Sequence, residues 1–212
     1  MKYRGIIFDL DGVICFTDRF HYEAWKQMAD EIGVYFDETI NNRLRGVSRM
    51  ASLDIILERA ESAYTQEEKE AMAERKNNYY KKLLEKMSPA DLSQEVKTSL
   101  DQLRQMGCLL AIGSSSKNAK FILKQLGLEG YFDAISDGTN ITRSKPDPQV
   151  FQMAAQFLGL QPEECMVVED AIAGIDAAKD GGFAAAGLGE AGEYARTDYR
   201  LNTFADLCEV VK

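Results

Sequence analysis

Two pairs of neighbouring acidic residues lie at the ends of apolar runs. Asp9 and Asp11 end the first run, and Glu169 and Asp170 end a later one. Carboxylates that lie close together raise one another's pKa unless a cation lies between them. Because the donors are oxygen atoms without His or Cys, the group favours Mg²⁺ over zinc or copper. Glu169 and Asp170 alone would more often form a solvated loop, but the Asp-x-Asp pair at a second strand end favours the metal.

Two further segments carry groups that suit a phosphate. The segment GSSSKN, Gly113–Asn118, follows an apolar run and opens a helix, so Ser114 and its neighbours offer hydroxyls and free N–H groups to phosphate oxygens. An ordinary helix N-cap is the commoner explanation for such a segment taken alone. In SKPDP, Lys145 lies just before a proline-rich helix start, where it would either neutralise a phosphoryl group or simply face solvent.

Short apolar runs and helical patterns alternate along most of the chain. The predicted strands are Tyr3–Leu10, Cys108–Gly113, Cys165–Glu169, Phe183–Ala186 and, more weakly, Ala134–Ser136. The predicted helices between them include Asn118–Leu126, Pro148–Leu158 and Ala171–Asp180. This alternation predicts an α/β fold with a Rossmann-like parallel sheet and helices on both faces. Ligands bind beyond the carboxyl ends of such strands, so we expect the four acids and Ser114 along one rim.

The stretch from about Thr17 to about Met87 shows helical periodicity and no strand. Its predicted helices are Asp18–Ile32, Asp37–Leu44, Ser48–Glu61 and Gln66–Lys86. Because this stretch lies between the first strand and the next β-α unit, it is interpreted as an inserted all-helical cap domain, residues 17–87. The α/β core domain then comprises residues 1–16 and 88–212, with the turn residues SPADL at the return to the core.

Composition limits the possible partners. The net charge of −9 argues against a nucleic acid or an anionic membrane as a partner, since both require clustered Lys and Arg. No apolar run reaches the length of a membrane span and no secretory signal is recognisable, so we expect a cytoplasmic protein. The four cysteines are scattered, which favours reduced, buried thiols over a zinc site. We also expect a monomer.

The ordered motifs resemble those of the haloacid dehalogenase-like phosphotransferases, and within them the β-phosphoglucomutase family. DLDG, a strand ending in Ser, a Lys-Pro and an acidic pair form the four-part pattern of the superfamily. Further matches are HYEAW (His21–Trp25), RGVSR (Arg45–Arg49), SSSKN, SKPDP and VEDAIAGI (Val168–Ile175). The resemblance spans the chain from Lys2 to about Gly189.

This resemblance implies a role for each candidate residue. Asp9 would be the nucleophile that forms an aspartyl-phosphate, and Asp11 the general acid and base. Ser114 and Lys145 would hold the transferred phosphoryl group. The implied Mg²⁺ ligands are Asp9, Asp11 through its backbone carbonyl, Glu169 and Asp170. The implied substrate-binding residues are Thr17, His21, Gly46, Val47, Arg49, Ser116, Lys117 and Asn118.

The cap residues have distinct implied tasks. Arg49 would hold the second phosphate of the sugar together with the SSSKN segment, and Gly46 and Val47 would line the sugar site. Thr17 and His21 would couple cap closure to Asp11, and closure would exclude water from the reaction.

The implied substrate is a sugar phosphate. The implied reaction converts β-D-glucose 1-phosphate to β-D-glucose 6-phosphate through a β-glucose 1,6-bisphosphate intermediate. A Mg²⁺-dependent sugar-phosphate phosphatase of the same superfamily is the alternative. A receiver domain also pairs acids with a lysine, but it lacks a helical insertion of this size, and a dehalogenase would have no use for Mg²⁺ beside a phosphoryl group.

Four positions depart from the pattern of the mutases. Cys15 and Phe16 replace the usual Thr and Asp after DGVI, Arg45 replaces a lysine, and Met50 replaces a glutamate. Cys15 and Phe16 lie in the hinge, where the chain passes from the core domain into the cap domain, and would affect the positioning of Asp11. Arg45 leaves open which sugar phosphate is preferred. None of these changes falls within the four core motifs.

Overall fold

The computed structural model describes residues 2–44 and 47–212. The chain divides into two compact units, Met1–Phe16 with Ser88–Lys212 and Thr17–Met87. The first unit holds the β-sheet of the protein, and the second consists of helices and connecting loops.

The first unit is built on a six-stranded parallel sheet with the order β3-β2-β1-β4-β5-β6. Its strands are β1 (Gly5–Phe8), β2 (Leu109–Gly113), β3 (Ala134–Ser136), β4 (Cys165–Glu169), β5 (Ala184–Leu188) and β6 (Tyr199–Leu201). Strand β1 lies between β2 and β4, so Phe8 pairs with Ile112 on one side and with Val168 on the other. Because the strands are parallel, the residues that follow β1, β2 and β4 meet at one edge of the sheet.

Helices and loops cover both faces of this sheet. On one face, helices α7 (Gln149–Leu158) and α8 (Ile172–Asp180) pack through Phe151 and Ile175 onto Ile7 and Val167. On the other face, the ring of Phe8 stacks on Phe204 at 5.7 Å and meets Phe132 edge-on. The remaining helices of this unit are α5 (Gln94–Gln105), α6 (Ala119–Gln125), α9 (Gly189–Gly192) and α10 (Leu207–Val210), with short 3₁₀ turns at Pro89–Asp91, Pro162–Glu164 and Phe204–Asp206.

The second unit contains helices α1 (Asp18–Glu31), α2 (Glu38–Asn42), α3 (Arg49–Leu57) and α4 (Gln66–Leu84). They bury a core of their own around Trp25, Met28, Leu53 and Ile56. Capping groups define where the helices begin: Asp37 accepts from the N–H of Ile40, and Thr65 and Glu68 form a reciprocal capping box at α4.

The helices and strands follow the predicted pattern, with differences at the ends. Strand β1 is shorter than predicted because Leu10 turns away from the sheet, where its carbonyl accepts from the N–H groups of Ile14 and Cys15. Helix α5 and strand β6 were not predicted. All four cysteines are free and buried, as the sequence predicted. Within the described residues, no helix is both long enough and apolar enough to cross a membrane.

Candidate active site

Asp9 lies directly after the central strand β1, at the carboxyl edge of the sheet. Its N–H continues the ladder by donating to the carbonyl of Val168 at 3.0 Å, and the residue is 8% exposed. The backbone is therefore fixed by the sheet, while the carboxylate points beyond the strand end into the region where parallel sheets bind ligands.

Lys145 holds Asp9 in place. Its ammonium group donates to Oδ1 of Asp9 and to Oε1 of Glu169, and all three side chains are buried. The same nitrogen lies 4.6 Å from the ring centre of Phe151, which adds a cation–π contact. Residues from three separate segments thus meet in one buried ion-pair group.

Burial and charge act in opposite directions on this group. Burial raises the pKa of Asp9 well above its usual value, the charges of Glu169 and Asp170 raise it further, and Lys145 opposes them. Burial alone would lower the pKa of Lys145, but the charges of Asp9 and Glu169 raise it above its usual value. Lys145 is therefore a cation beside the carboxylate of Asp9, which also has the negative charges of Glu169 and Asp170 near it.

Glu169 is the last residue of β4, and both of its oxygens are engaged. Besides the bond from Lys145 to Oε1, Oε2 accepts from the N–H groups of Asp170 and Ala171 at 2.9 Å each. These N–H groups lie at the start of α8. The N-cap residue of this helix, Ala171, forms no side-chain capping hydrogen bond. The carboxylate therefore satisfies backbone donors that the helix itself leaves open.

The loop that carries Asp11 is held by its own backbone. The backbones of Asp11 and Cys15 form an isolated β-bridge, and the N–H of Gly12 donates to the carbonyl of Cys15 at 2.7 Å. Gly12 has a φ of +82°, and a Cβ at this position would lie 1.9 Å from Oδ2 of Asp170. The carboxylate of Asp170 therefore lies directly against the DLDG turn, beside Asp11. This close approach requires a glycine at position 12.

The SSSKN segment follows β2 and is closed by local hydrogen bonds. Ser114 is buried, and its hydroxyl accepts from the N–H of Ser116, whose own hydroxyl accepts from the N–H of Asn118, both at 3.2 Å. The sequence predicted free N–H groups here, but these two are used inside the loop because a hydroxyl two residues earlier reaches them. Lys117 is exposed and Asn118 is the buried N-cap residue of α6.

The remaining candidates belong to the helical unit. The hydroxyl of Thr17 lies 2.8 Å from that of Tyr80, and Nδ1 of His21 lies 2.9 Å from the ammonium nitrogen of Lys76. Arg49 begins α3, is half-buried and donates to Asn77 at 2.9 Å. Burial lowers the pKa of Arg49. Val47 is partly exposed, whereas Gly46, together with Arg45, lies outside the described residues.

Lys76 and Tyr80 are site candidates that the sequence analysis missed. The ammonium group of Lys76 lies 4.8 Å and 4.6 Å from the ring centres of Trp25 and Tyr80, and the residue is buried. A signal exists in the sequence: Lys76 and Tyr80 fall on the same helical stripe as the buried residues Met72 and Ala73 of α4. A lysine on an apolar stripe is uncommon because burying its charge is costly.

The donor chemistry of the core site fits a hard divalent cation. Asp9, Asp11, Glu169 and Asp170 offer only oxygen atoms, and Lys145 compensates only part of their charge. Among residues 2–44 and 47–212, no three His, Cys, Asp or Glu side chains are already arranged as a metal centre. The ammonium group of Lys145 lies between Asp9 and Glu169.

Comparison with known proteins identifies relatives along nearly the whole chain. The model of the haloacid dehalogenase-like hydrolase family matches residues 3–182. A β-phosphoglucomutase from Bacillus subtilis (strain 168) is 40% identical over 206 residues, which cover 96% of this chain and 91% of that protein. A fructose-1-phosphate phosphatase from Escherichia coli (strain K12) is 35% identical over 187 residues, which cover 86% of this chain and 94% of that protein.

A solved structure agrees with the fold. The crystal structure of a β-phosphoglucomutase from Clostridium difficile matches with a TM-score of 0.89 at 36% identity, covering 97% of this chain and 93% of that chain. The predicted fold class, a parallel α/β sheet flanked by helices with an additional helical part, is confirmed by this match and by the strand order.

Proposed function

The chain belongs to the haloacid dehalogenase-like hydrolase family, and from that premise we propose that it is a β-phosphoglucomutase. The proposed reaction interconverts β-D-glucose 1-phosphate and β-D-glucose 6-phosphate through β-glucose 1,6-bisphosphate. The observation that carries the proposal is the buried contact of Lys145 with both Asp9 and Glu169 at the carboxyl edge of the sheet. A carboxylate held beside a fixed cation is suited to accept a phosphoryl group.

Asp9 is the proposed nucleophile. A carboxylate oxygen of Asp9 forms a bond to phosphorus of the bisphosphate while the bond between phosphorus and the sugar oxygen breaks. Asp11 donates its proton to that departing oxygen. Glucose 6-phosphate then leaves and β-glucose 1-phosphate binds. Asp11 takes the proton from the 6-hydroxyl of this sugar, which attacks the aspartyl-phosphate, re-forms the bisphosphate and restores Asp9. The position of Asp11 in a hydrogen-bonded turn two residues from Asp9 supports this division of roles.

Lys145 and Ser114 are the proposed ligands of the transferred phosphoryl group. The charge of Lys145 is retained at all physiological pH values, since its carboxylate neighbours raise its pKa. Magnesium, held by Asp9, Asp11, Asp170 and Glu169, would offset the remaining negative charge when bound. Because Glu169 already accepts from Lys145, its contribution includes the placement of that lysine.

The other substrate contacts are proposed from the residue types. Ser116, Lys117 and Asn118 offer hydroxyl, ammonium and amide groups to a second phosphate, and Arg49 offers a planar guanidinium that suits a dianion. Thr17, His21, Gly46 and Val47 remain proposed contributors from the helical unit. A small phosphorylated sugar, rather than a macromolecule, is the partner that this set of groups would bind.

Hydrolysis is the second candidate function. Relatives that share 31–35% identity with the chain include a phosphorylated carbohydrates phosphatase from Thermotoga maritima and the fructose-1-phosphate phosphatase from Escherichia coli. In a phosphatase the same Asp9 and Asp11 would act, but water would take the phosphoryl group from Asp9. The two reactions therefore differ only in the final acceptor.

Product analysis separates the two functions. The protein is incubated with Mg²⁺, β-glucose 1-phosphate and a trace of β-glucose 1,6-bisphosphate, and glucose 6-phosphate and inorganic phosphate are both measured. We expect glucose 6-phosphate to form without a matching release of phosphate, and Asp9→Asn to abolish it. Stoichiometric phosphate release would instead identify a phosphatase, and undiminished turnover by Asp9→Asn would refute both.

A further inference from the structure

Glu169 is confined more tightly than its length suggests. It is 1% exposed, and its carboxylate accepts one hydrogen bond from Lys145 and two from backbone N–H groups. Any movement of this group breaks contacts at both oxygens, because Oε1 serves the lysine and Oε2 serves the start of α8. The lysine would then retain only Asp9 as its carboxylate partner in this group.

Gly174 lies in the first turn of α8 and faces this carboxylate. A Cβ at position 174 would lie 1.9 Å from Oε1 of Glu169 and 2.0 Å from Cδ, far inside any normal contact. Gly174 does not have a positive φ, so its backbone conformation gives no reason for a glycine. Glycine is a poor helix former, so the close approach of Glu169 is the remaining physical reason for it.

We propose that Gly174 is a positioning residue for phosphoryl transfer. Its missing side chain creates the space in which Glu169 lies, Glu169 orients the ammonium group of Lys145, and Lys145 in turn holds Asp9 and the transferred phosphoryl group. This inference rests on the proposed function, since it assigns a role within the same reaction. Gly174 itself touches neither substrate nor the reacting atoms.

A methyl group at position 174 therefore acts through two other residues. In Gly174→Ala the carboxylate of Glu169 is displaced, and Lys145 loses the second carboxylate that fixes its ammonium group beside Asp9. We expect the rate of phosphoryl transfer to Asp9 to fall by about tenfold to a hundredfold, the size of effect that a misplacement near 1 Å produces. A purely structural role would lower the stability without this selective loss.

A matched control lies at the other end of the same helix. A Cβ at Gly181, the C-cap of α8, would lie 2.8 Å from the ring of Phe183 and 3.0 Å from Cβ of Pro148, neither of which is a proposed site residue. Gly181→Ala therefore introduces crowding into the core, milder than at position 174, without reaching Glu169. We expect it to retain the unmodified rate within about twofold, because distant independent sites do not couple.

The decisive experiment is a double-mutant cycle with Glu169→Ala. The rate of Asp9 phosphorylation by acetyl phosphate is followed by intact-mass spectrometry, and the melting temperature is measured for each variant. If Gly174 acts through Glu169, Gly174→Ala slows phosphorylation and lowers the melting temperature of the unmodified protein. In the Glu169→Ala background it leaves the rate unchanged and raises the melting temperature, because alanine is the better helix former.

Each other outcome overturns the inference. Two results would remove the role of Gly174 but leave the proposed function intact. One is an equal drop in melting temperature when Gly174→Ala is introduced with and without Glu169→Ala. The other is the same rate of Asp9 phosphorylation in Gly174→Ala and in the unmodified protein. If Gly174→Ala does not fold, folding of the double variant supports the clash with Glu169, and its failure refutes it. If the unmodified protein accepts no phosphoryl group and turns over no sugar phosphate, the proposed function fails together with the inference.

Discussion

The ammonium group of Lys145 lies between two buried carboxylates, and this arrangement sets a large part of the local energetics. Neither Asp9 nor Glu169 has the access to water that a surface carboxylate has, so Lys145 supplies the compensation that solvent would otherwise give. Lysine suits this position because its compact charge donates in several directions, whereas a planar guanidinium is built for bidentate contact with one partner.

Replacement of Lys145 by Met tests this compensation. Lys145→Met keeps the length of the side chain but leaves two buried carboxylates unpaired, so we expect it to lower the free energy of unfolding by about 3–5 kcal/mol and to abolish turnover. Urea unfolding and the mutase assay measure the two effects.

Lys179 provides the matched control for this substitution. It forms a partly exposed ion pair with Asp198, at 2.6 and 2.8 Å, so Lys179→Met is expected to cost only about 0–1 kcal/mol. Equal losses from the two substitutions would show that burial adds nothing to the ion pair of Lys145.

The sequence indicated these residues as candidates for a site but did not indicate their pairing. The acidic doublets and the Lys-Pro could be recognised because each follows or precedes a clear element boundary. That Lys145 bonds to Glu169 as well as to Asp9 depends on the path of the loop after β3, which has no periodicity to read. The roles of Gly12 and Gly174 were hidden for a similar reason, since they follow from carboxylates that approach them in space.

The turn after β3 supports the SSSKN segment. The N–H of Gly138 donates to the carbonyl of Ser116 at 3.1 Å. A Cβ at position 138 would lie 2.4 Å from the carbonyl oxygen of Ser115 and 2.9 Å from the backbone nitrogen of Lys117. Both contacts are with backbone, which cannot give way as a side chain can, so the two loops can be adjacent only with glycine at this position.

Gly138→Ala is therefore expected to displace the proposed phosphate-binding segment. Because Ser116, Lys117 and Asn118 would lose their alignment, we expect the KM for the sugar phosphate to rise about tenfold, equivalent to about 1.4 kcal/mol of binding. Steady-state kinetics measure the change, with Gly181→Ala again as the control. A KM within twofold of the unmodified value would contradict the support that we assign to this turn.

The strands differ in how well their sequences revealed them. Strand β4 has the predicted bounds because CMVV is a continuous apolar run between Glu164 and Glu169, which is typical of a buried parallel strand. Strand β6 was missed because it has only three residues, with an exposed Arg200 in the middle, and lies at the sheet edge. Its conformation depends on pairing with β5, a tertiary contact that local propensity does not encode.

The cysteines of the molecule behave as core residues. All four are buried, and burial raises the pKa of each thiol, in the case of Cys165 to about 12. Since the thiolate is the reactive form, both the lack of access and the raised pKa protect these side chains from electrophiles and oxidants.

We expect the folded protein to be inert toward a thiol reagent such as Ellman's reagent at pH 8. Addition of denaturant should release four reactive thiols, because unfolding restores both access and an ordinary pKa. Absorbance of the released thiolate counts the groups in each state. Rapid modification of one thiol in the folded protein would contradict the burial described above.

The central place of β1 in the sheet has a consequence for how the protein is made. Gly5 pairs with Leu109 on one side and with Cys165 on the other, so β1 is synthesised well before either of its partner strands. Contacts between such distant segments slow folding, and an apolar strand that waits for them is exposed to aggregation. The residue that we propose to carry the phosphoryl group, Asp9, is therefore synthesised well before Lys145 and Val168, the residues that hold it in position.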